Sequence, residues 1–365
     1  ALWEEERWTG VKCINKWKLS VLKKEDKGNF FKNLKKKPGK KMILGGSILG
    51  VLLLAGIIFL VLFFQKRSFD EPFPYERSAR LRGNPVPESA MVEEGMASEL
   101  CVGKSDNSMD GIEGQEGEMA GLFDIRNGNI PFSKALYQQK SAGRLGQLMT
   151  VLIAYETFNL DTSVTIQQED LPASLDRTCG LSAGDVIPAR QLLNAAAVYS
   201  AEDACLALAR AVGGSTESFV ESMNSRAGEL GMINTNYTNP AGIQEDEQYT
   251  TVYDTYLLLN AILGHPDLTN VLGLSNYTLD YNNSGGDRKQ QWLDGDNLYV
   301  TGIVSPPKGI TVLGGKLYVS DSDNYGALLV QDHYGNPYVA VVLNTENQAN
   351  MYERMGQMLK SISES

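Results

Sequence analysis

The sequence predicts a mixed α/β (α+β) domain that is preceded by one transmembrane helix. The membrane helix is indicated by residues 42–65, a run of 24 residues without a charged side chain. Residues 145–156 place apolar side chains at the three- and four-residue spacing of a helix. Short apolar runs within residues 122–132 and 325–343 are separated by turn-forming residues and indicate strands. The chain beyond the apolar run therefore combines helices with strands.

The amino-terminal segment, residues 1–41, is polar and rich in lysine. The first 67 residues carry 15 Lys or Arg and 5 Asp or Glu, whereas the remaining 298 carry 18 and 39. Positive charge next to an apolar span marks its cytoplasmic end, so we expect a basic cytoplasmic arm. The arm is either a disordered tail or an amphipathic segment that lies on the inner leaflet through its tryptophans.

Residues 42–65 are the candidate membrane span. As a helix they extend roughly 36 Å, which exceeds a hydrocarbon core of about 30 Å. A buried core helix would need polar interruptions, and a cleaved signal peptide would be shorter and end in small residues. Residues 66–97 are rich in Pro, Glu, Ser, Gly and Arg and are predicted to be a linker. We therefore expect a single-pass protein of the cell membrane, with residues 98–365 forming an extracellular domain.

The composition limits the possible functions. The main domain is acidic, which argues against nucleic-acid binding because that function needs a basic surface. The chain has four cysteines without a Cys-x-x-Cys pair, and two histidines, so we expect neither a metal site nor a cofactor. Cys179 and Cys205 are predicted to lie outside the cell, where they either form a disulfide or remain free buried thiols.

Residues 141–156 form the centre of the predicted domain. Gly143 and Gly146 indicate a tight entry to a helix, and the uncharged middle of the segment is typical of a buried helix. A helix that opens at a cleft presents free N–H groups and the positive end of its dipole. Serine acyl-transfer enzymes place a nucleophile at such a position. A second helical pattern covers residues 191–211, and a third covers residues 351–362.

A long run, residues 219–254, contains the motifs Phe219-Val220, Met223-Asn224, Leu230-Gly231-Met232, Asn239-Pro240 and Tyr249-Thr250-Thr251. With these motifs the run resembles the D-alanyl-D-alanine carboxypeptidases, which are low-molecular-weight penicillin-binding proteins and serine peptidases. Ala241 and Gln248 take the positions of two family histidines. The resemblance extends over about residues 98–362. It implies the β-lactamase/DD-peptidase-like fold, an antiparallel sheet flanked by helices, and a role in peptidoglycan metabolism.

The positions that carry chemistry in this family are altered here. Laid over residues 142–150, the family pattern Pro-Ala-Ser-Thr-Thr-Lys-Ile-Met-Thr places its nucleophilic Ser on Arg144 and its Lys base on Gln147. Arginine has no nucleophilic lone pair and an amide is no base. In the second motif, Ser200 aligns with a serine that relays protons, and Glu202 replaces the Asn that contacts substrate.

The third family motif, Lys-Thr-Gly, falls on a predicted strand. Lys316 keeps the lysine, which in the family helps to hold the substrate carboxylate. Leu317 and Tyr318 replace the Thr and Gly, and we expect the tyrosine to crowd the substrate groove. We also expect Arg144 and Glu202 to pair across the cleft, in the space where the family's Ser and Lys meet.

Three functional hypotheses follow from these substitutions. The favoured one is a pseudo-peptidase that binds a peptidoglycan stem peptide or an envelope protein without cleaving it. The second is an active serine-type D-Ala-D-Ala carboxypeptidase that uses another nucleophile. The third is a structural module that contacts an envelope protein and makes no use of the groove.

Overall fold

The structure is a computed structural model that describes residues 100–112, 115–172, 177–319 and 324–363. The predicted arm, membrane span and linker, residues 1–97, lie outside these ranges. Among the helices that are described, none is both long enough and apolar enough to cross a bilayer.

The described ranges contain strands and helices in alternating blocks. The strands are β1 (Met119–Asp124), β2 (Asn129–Lys134), β3 (Lys140–Ser141), β4 (Ser163–Thr165), β5 (Val186–Pro188), β6 (Tyr249–Thr250), β7 (Asn276–Asn282), β8 (Arg288–Asp294), β9 (Thr311–Val319), β10 (Asn324–Gln331) and β11 (Pro337–Leu343). The helices are α1 (Gly146–Thr157), α2 (Ala189–Tyr199), α3 (Glu202–Gly213), α4 (Thr216–Glu229), α5 (Val252–Leu263), α6 (Pro266–Leu272) and α7 (Gln348–Ser363). A 3-10 turn, Gly143–Leu145, leads into α1.

The main sheet has the strand order β2-β1-β11-β10-β9, and all neighbouring strands are antiparallel. The predicted hairpin at residues 122–132 is present, and Gly128 in its turn adopts a positive φ of 66°. The apolar runs in the last third of the sequence form β10 and β11, in which most side chains are buried. The predicted antiparallel sheet flanked by helices is therefore confirmed.

Helices cover both faces of this sheet. On one face, α7 buries the side chains of Met351, Met355, Met358, Leu359 and Ile362 against the sheet. On the other face lies α5, in which Tyr256 stacks on Phe123 of β1 with ring centroids 4.2 Å apart. The central helix α1 is buried over its first nine residues, as the uncharged middle of its sequence predicts.

The prediction of one continuous helix over residues 191–211 is wrong. The structure has two helices, α2 and α3, which are interrupted at Ser200 and Ala201. Ser200 has φ 63° and ψ 34°, a left-handed conformation that ends α2 and that non-glycine residues adopt only occasionally. The apolar periodicity continues on both sides of the break, so the pattern alone does not reveal it.

The disulfide considered between Cys179 and Cys205 is not formed, and the alternative of free buried thiols is correct. Burial raises the pKa of Cys205 to about 12. Burial, with the nearby Asp203 carboxylate, also raises the pKa of Cys179 well above its usual range. Both thiols therefore stay protonated, because no neighbouring group stabilises the thiolate enough to offset its desolvation.

A smaller sheet of four strands has the order β4-β5-β7-β8. Its longest pair is the β7–β8 hairpin, in which Asn276 pairs with Asp294 and Asn282 pairs with Arg288. The turn is closed by the Asn283 N–H, which donates to the carbonyl of Asp287 over 2.8 Å. The turn predicted at residues 282–286 is thus present, and β8 forms one edge of this sheet.

Candidate functional site

The candidate site lies where the head of α1, the break between α2 and α3, and strand β9 meet. Hydrogen bonds and ring contacts join six of the residues that the sequence identifies: Arg144, Gln147, Ser200, Glu202, Lys316 and Tyr318. These residues are spread over 175 positions of sequence, and the fold brings them together as two neighbouring sets: Arg144 with Glu202 and Tyr318, and Gln147 with Ser200 and Lys316.

Leu317, predicted to line the groove, lies on the opposite face of the main sheet. Side chains alternate between the two faces of a strand, so Lys316 and Tyr318 point toward the site and Leu317 points away. Leu317 is buried in the cluster that includes Leu328 and Met355. Its role is to pack the sheet against α7.

Two glycines allow the backbone at the head of α1 to approach its neighbours closely. Gly143 has φ 46°, and a Cβ there would lie 2.3 Å from the hydroxyl of Tyr325. Gly242 has φ 71°, and a Cβ there would lie 2.6 Å from the Cα of Arg144. The backbone N–H of Arg144 donates to the Tyr325 hydroxyl. The helix head is therefore held from two sides, as the predicted tight entry at Gly143 requires.

Arg144 and Glu202 form the ion pair that the sequence predicts across the cleft. The Arg144 Nη2 lies 2.8 Å from the Glu202 Oε1, and the two side chains are only 8% and 5% exposed. The guanidinium carbon lies 4.4 Å from the centroid of the Tyr318 ring, a distance typical of a cation–π contact. Tyr318 in turn packs on Tyr325, with centroids 5.2 Å apart. The cleft at the head of α1 is therefore filled by a buried ion pair and an aromatic ring.

Gln147 joins four segments of the site through its amide. Its Nε2 donates to the carbonyls of Ala241 (2.6 Å) and Ser200 (3.2 Å), and its Oε1 accepts from the Lys316 Nζ (3.0 Å). The side chain is fully buried. A lysine at this position would lack the acceptor that Lys316 uses, because an ammonium group only donates.

Lys316 is buried without a carboxylate among its hydrogen-bond acceptors. Its Nζ donates to the Gln147 Oε1, to the Ala196 carbonyl (3.0 Å) and to the Ser200 Oγ (2.7 Å). Burial lowers the pKa of this amine to about 7, and the positive charges of Arg144 and Arg177 act in the same direction. Near neutral pH, Lys316 therefore exists in both protonation states.

Arg177 is a site residue that the sequence did not identify. Its guanidinium lies 3.9 Å from the centroid of the Tyr199 ring, and it pairs with Asp296. Its backbone carbonyl accepts from the Glu202 N–H over 2.8 Å, and its Nε donates to the Tyr199 carbonyl over 2.9 Å. Arg177 thus fixes both sides of the helix break. It lies in a loop-rich section without periodicity, and no local signal distinguishes it from a surface arginine.

The arrangement offers no serine at the head of α1 and no base one turn later. The Ser–Lys contact in the site is that of Ser200 and Lys316, and the Ser200 side chain is almost fully buried. Within the described ranges, no group of three or more His, Cys, Asp or Glu side chains is placed to hold a metal ion. The observed groups are suited to holding the cleft closed by an ion pair and hydrogen bonds.

The sequence pattern of the D-alanyl-D-alanine carboxypeptidase family matches residues 113–323, which is more than half of the chain. The chain is 27% identical over 189 residues to D-alanyl-D-alanine carboxypeptidase DacF of Bacillus subtilis, covering 51% of this chain and 48% of DacF. It is 33% identical over 135 residues to the D-alanyl-D-alanine carboxypeptidase of Streptomyces sp. K15, covering 34% and 46%. The chain thus spans about half the length of these curated relatives.

Solved structures share the fold. The DD-transpeptidase of Streptomyces K15 superposes with a TM-score of 0.58 at 23% identity, covering 66% of this chain and 94% of that one. D-alanyl-D-alanine carboxypeptidase DacD of Francisella tularensis gives a TM-score of 0.59 at 21% identity, covering 71% and 73%. With the matched family pattern and the DD-peptidase-like fold together, the chain belongs to the D-alanyl-D-alanine carboxypeptidase family.

Proposed function

We propose that this chain is a catalytically degenerate member of its family, a pseudo-peptidase that binds a peptidoglycan stem peptide or an envelope protein without cleaving it. The observation that carries the proposal is the buried Arg144–Glu202 pair at 2.8 Å, with Tyr318 stacked on the guanidinium. In the family alignment, these three residues stand where the nucleophile, the substrate-contacting amide and the glycine of the substrate strand would be.

The chemical argument concerns the acylation step. Acyl transfer needs a hydroxyl at the head of the helix, a base that takes its proton, and donors for the oxyanion. Arg144 is permanently cationic, and both Nε2 donors and the Oε1 acceptor of Gln147 are already hydrogen-bonded. Removing a catalytic serine or base from a comparable constellation lowers the rate by several orders of magnitude.

Membrane anchoring is part of the proposal. Residues 42–65 would cross the cell membrane once, residues 1–41 would lie in the cytoplasm, and the family domain would face the cell wall. The lysine excess before the apolar run supports this orientation. Protease added to intact cells should then remove the domain and leave the amino-terminal arm, whereas full protection of the domain would refute the orientation.

A stem peptide that ends in D-Ala-D-Ala tests the proposal directly. The full chain in detergent is incubated with this peptide, and binding and the release of free D-Ala are measured in the same samples. We expect saturable binding and no release above a protein-free control. Release of one D-Ala per peptide, lost on heat inactivation of the chain, would refute the proposal.

One observation favours the second candidate, an active serine enzyme. The Ser200 Oγ lies 2.7 Å from Lys316, whose pKa is lowered to about 7 by burial. A neutral Lys316 would accept the Ser200 proton while still donating to Gln147 and Ala196, which is the arrangement of a Ser–Lys pair. In that case Ser200→Ala would abolish D-Ala release, and in the wild type the rate of D-Ala release would rise as Lys316 loses its proton.

A further inference from the structure

The outer edge of strand β8 is the feature that the family site does not explain. The outer strands of the main sheet each have a contact at their edge: Asn107 exchanges backbone hydrogen bonds with Ser133 of β2 over 3.0 and 2.9 Å, and α6 leads onto β9 at Gly273, where an added Cβ would lie 2.5 Å from the Leu313 carbonyl. Within the described ranges, no strand pairs with β8 on the side opposite β7. An open strand edge is a template for a further strand.

The register of the hairpin shows which backbone groups point to this open edge. The Asn283 N–H donates to Asp287, and the Gly295 N–H donates to Ser275. Hydrogen-bonded and non-hydrogen-bonded pairs alternate along an antiparallel ladder, so the odd-numbered residues of β8 bond to β7. The N–H and C=O groups that point outward belong to the even-numbered residues, which are Arg288, Gln290, Trp292 and Asp294.

These four residues also present exposed side chains. Trp292 is 61% exposed, and its Nε1 donates to the Asp294 Oδ1 over 2.7 Å. Arg288 pairs with Asp280 of the neighbouring strand and keeps most of its surface in solvent. The edge therefore carries a cation at one end, an anion at the other and an aromatic side chain between them.

We propose that β8 pairs antiparallel with β8 of a second copy of this chain, about a two-fold axis at Gln291. In this register, Arg288 lies opposite the partner's Asp294, and Gln290 lies opposite the partner's Trp292. Each of the four residues whose N–H and C=O groups point outward then lies opposite such a residue of the partner. In the neighbouring registers, centred at Gln290 or Trp292, even-numbered residues still face even-numbered residues, so backbone hydrogen bonds can form. These registers do not place Arg288 opposite the partner's Asp294.

The chemistry of the edge favours a second copy over an unrelated peptide. Eight backbone hydrogen bonds form across the two-fold axis, because each of the four opposed pairs exchanges two. The symmetry repeats the Arg288–Asp294 attraction at both ends, as an isologous contact requires. Opposite charges directly across two strands stabilise the pair, and like charges destabilise it.

Sedimentation of the full chain in detergent tests this pairing. We expect a monomer–dimer equilibrium for the wild type and a dissociation constant raised roughly tenfold or more by Asp294→Arg, which opposes two cations at each end. The double variant Arg288→Asp with Asp294→Arg restores opposite charges and should recover the dimer. The control Glu221→Arg makes the same charge change at an exposed position of α4 and should leave dimerisation unchanged.

Disulfide trapping tests the register. Arg288→Cys and Asp294→Cys are made in separate chains that also carry Cys13→Ser. The two opposed Cα atoms would be about 5.5 Å apart, which is within the range of a disulfide. We expect a cross-linked dimer in the mixture of the two variants and none in either variant alone. A chain that is monomeric at every concentration, a dimer that Asp294→Arg does not weaken, or equal cross-linking without mixing would each overturn the proposal.

Discussion

The matched segment, residues 219–254, and the cleft at the head of α1 belong to one domain but differ in what the family resemblance preserves. In the matched segment, the shared residues bond to backbone groups. Asn224 exchanges two hydrogen bonds with the backbone of Tyr237, both 2.8 Å long, and Asn239 exchanges two with Ile243. In the cleft, the side chains of Arg144 and Glu202 pair with each other. The matched segment therefore supports the backbone, whereas the cleft holds a buried ion pair.

The two regions are joined by direct contacts. Thr150 of α1 donates to the Pro240 carbonyl over 2.7 Å, and Gln147 donates to the carbonyl of Ala241 next to it. Gln248, which takes a family histidine position, accepts from the Asn239 N–H over 3.3 Å and donates to Ile243 over 3.0 Å. The matched segment thus positions the head of α1 whether or not that helix carries a nucleophile.

The largest effect is expected from breaking the ion pair of the cleft. Glu202→Ala removes the carboxylate that pairs with the buried Arg144 cation, and removing one member of a buried pair lowers the free energy of unfolding by about 3–5 kcal/mol. Urea unfolding followed by circular dichroism measures this loss. Asp161→Ala is the matched control, because the Arg190–Asp161 pair is 55% and 79% exposed. An exposed pair contributes about 0–1 kcal/mol, and equal losses in both variants would contradict our account of the cleft.

A smaller loss is expected in the matched segment. Asn224→Ala removes the amide that hydrogen-bonds to the N–H and to the carbonyl of Tyr237. Leaving such groups unsatisfied lowers the free energy of unfolding by about 1–3 kcal/mol. Asn270→Ala, at an exposed position of α6, should change it by less than about 0.5 kcal/mol. If Asn224→Ala behaves like this control, the preserved asparagine has a role other than holding the turn.

The charge of Lys316 predicts a pH dependence. Burial lowers its pKa to about 7 in the folded state, whereas the unfolded chain keeps the usual value near 10.4. Between these values the unfolded state binds more protons, so the contribution of Lys316 to stability rises with pH, by at most about 1.4 kcal/mol per pH unit. Below about pH 7 the contribution becomes constant.

The measurement compares the wild type with Lys316→Met between pH 6 and 9. The difference in the free energy of unfolding should shift in favour of the wild type above about pH 7. Subtracting the variant removes the contributions of other groups, including the tyrosines and cysteines whose pKa values burial raises. A difference that is independent of pH would show that Lys316 does not lose its proton on folding.

The smallest effect concerns the cysteines. Cys179 and Cys205 are buried and free, so they should resist iodoacetamide in the folded chain and react fully after unfolding without a reductant. Mass spectrometry of the alkylated peptides measures this. A pair of peptides linked through these residues, recovered before reduction, would contradict the structure.

Much of the fold follows from the sequence because its signals are local. The Asn127-Gly128 turn, the helix α1 with its uncharged middle and the buried runs of β10 and β11 all form as their patterns indicate. Ser200 is different: it adopts a left-handed conformation and contacts Gln147 and Lys316, which lie far away in sequence. The family alignment predicted the ion pair of Arg144 and Glu202 in the cleft. It also predicted Leu317 in the groove, but side chains alternate along a strand and Leu317 points to the opposite face of the sheet. Arg177 acts through long-range contacts that no local pattern contains.

The central claim is that the cleft holds an ion pair in place of an acylation site. Labelling with a fluorescent penicillin, followed by mass spectrometry of the labelled peptides, tests it most directly. A catalytically competent family member is labelled in parallel. We expect no label on the wild type, and none on Arg144→Ser with Gln147→Lys, because Glu202 and Tyr318 still fill the cleft. Stoichiometric label on any serine of the wild-type domain would contradict the claim and favour the active enzyme.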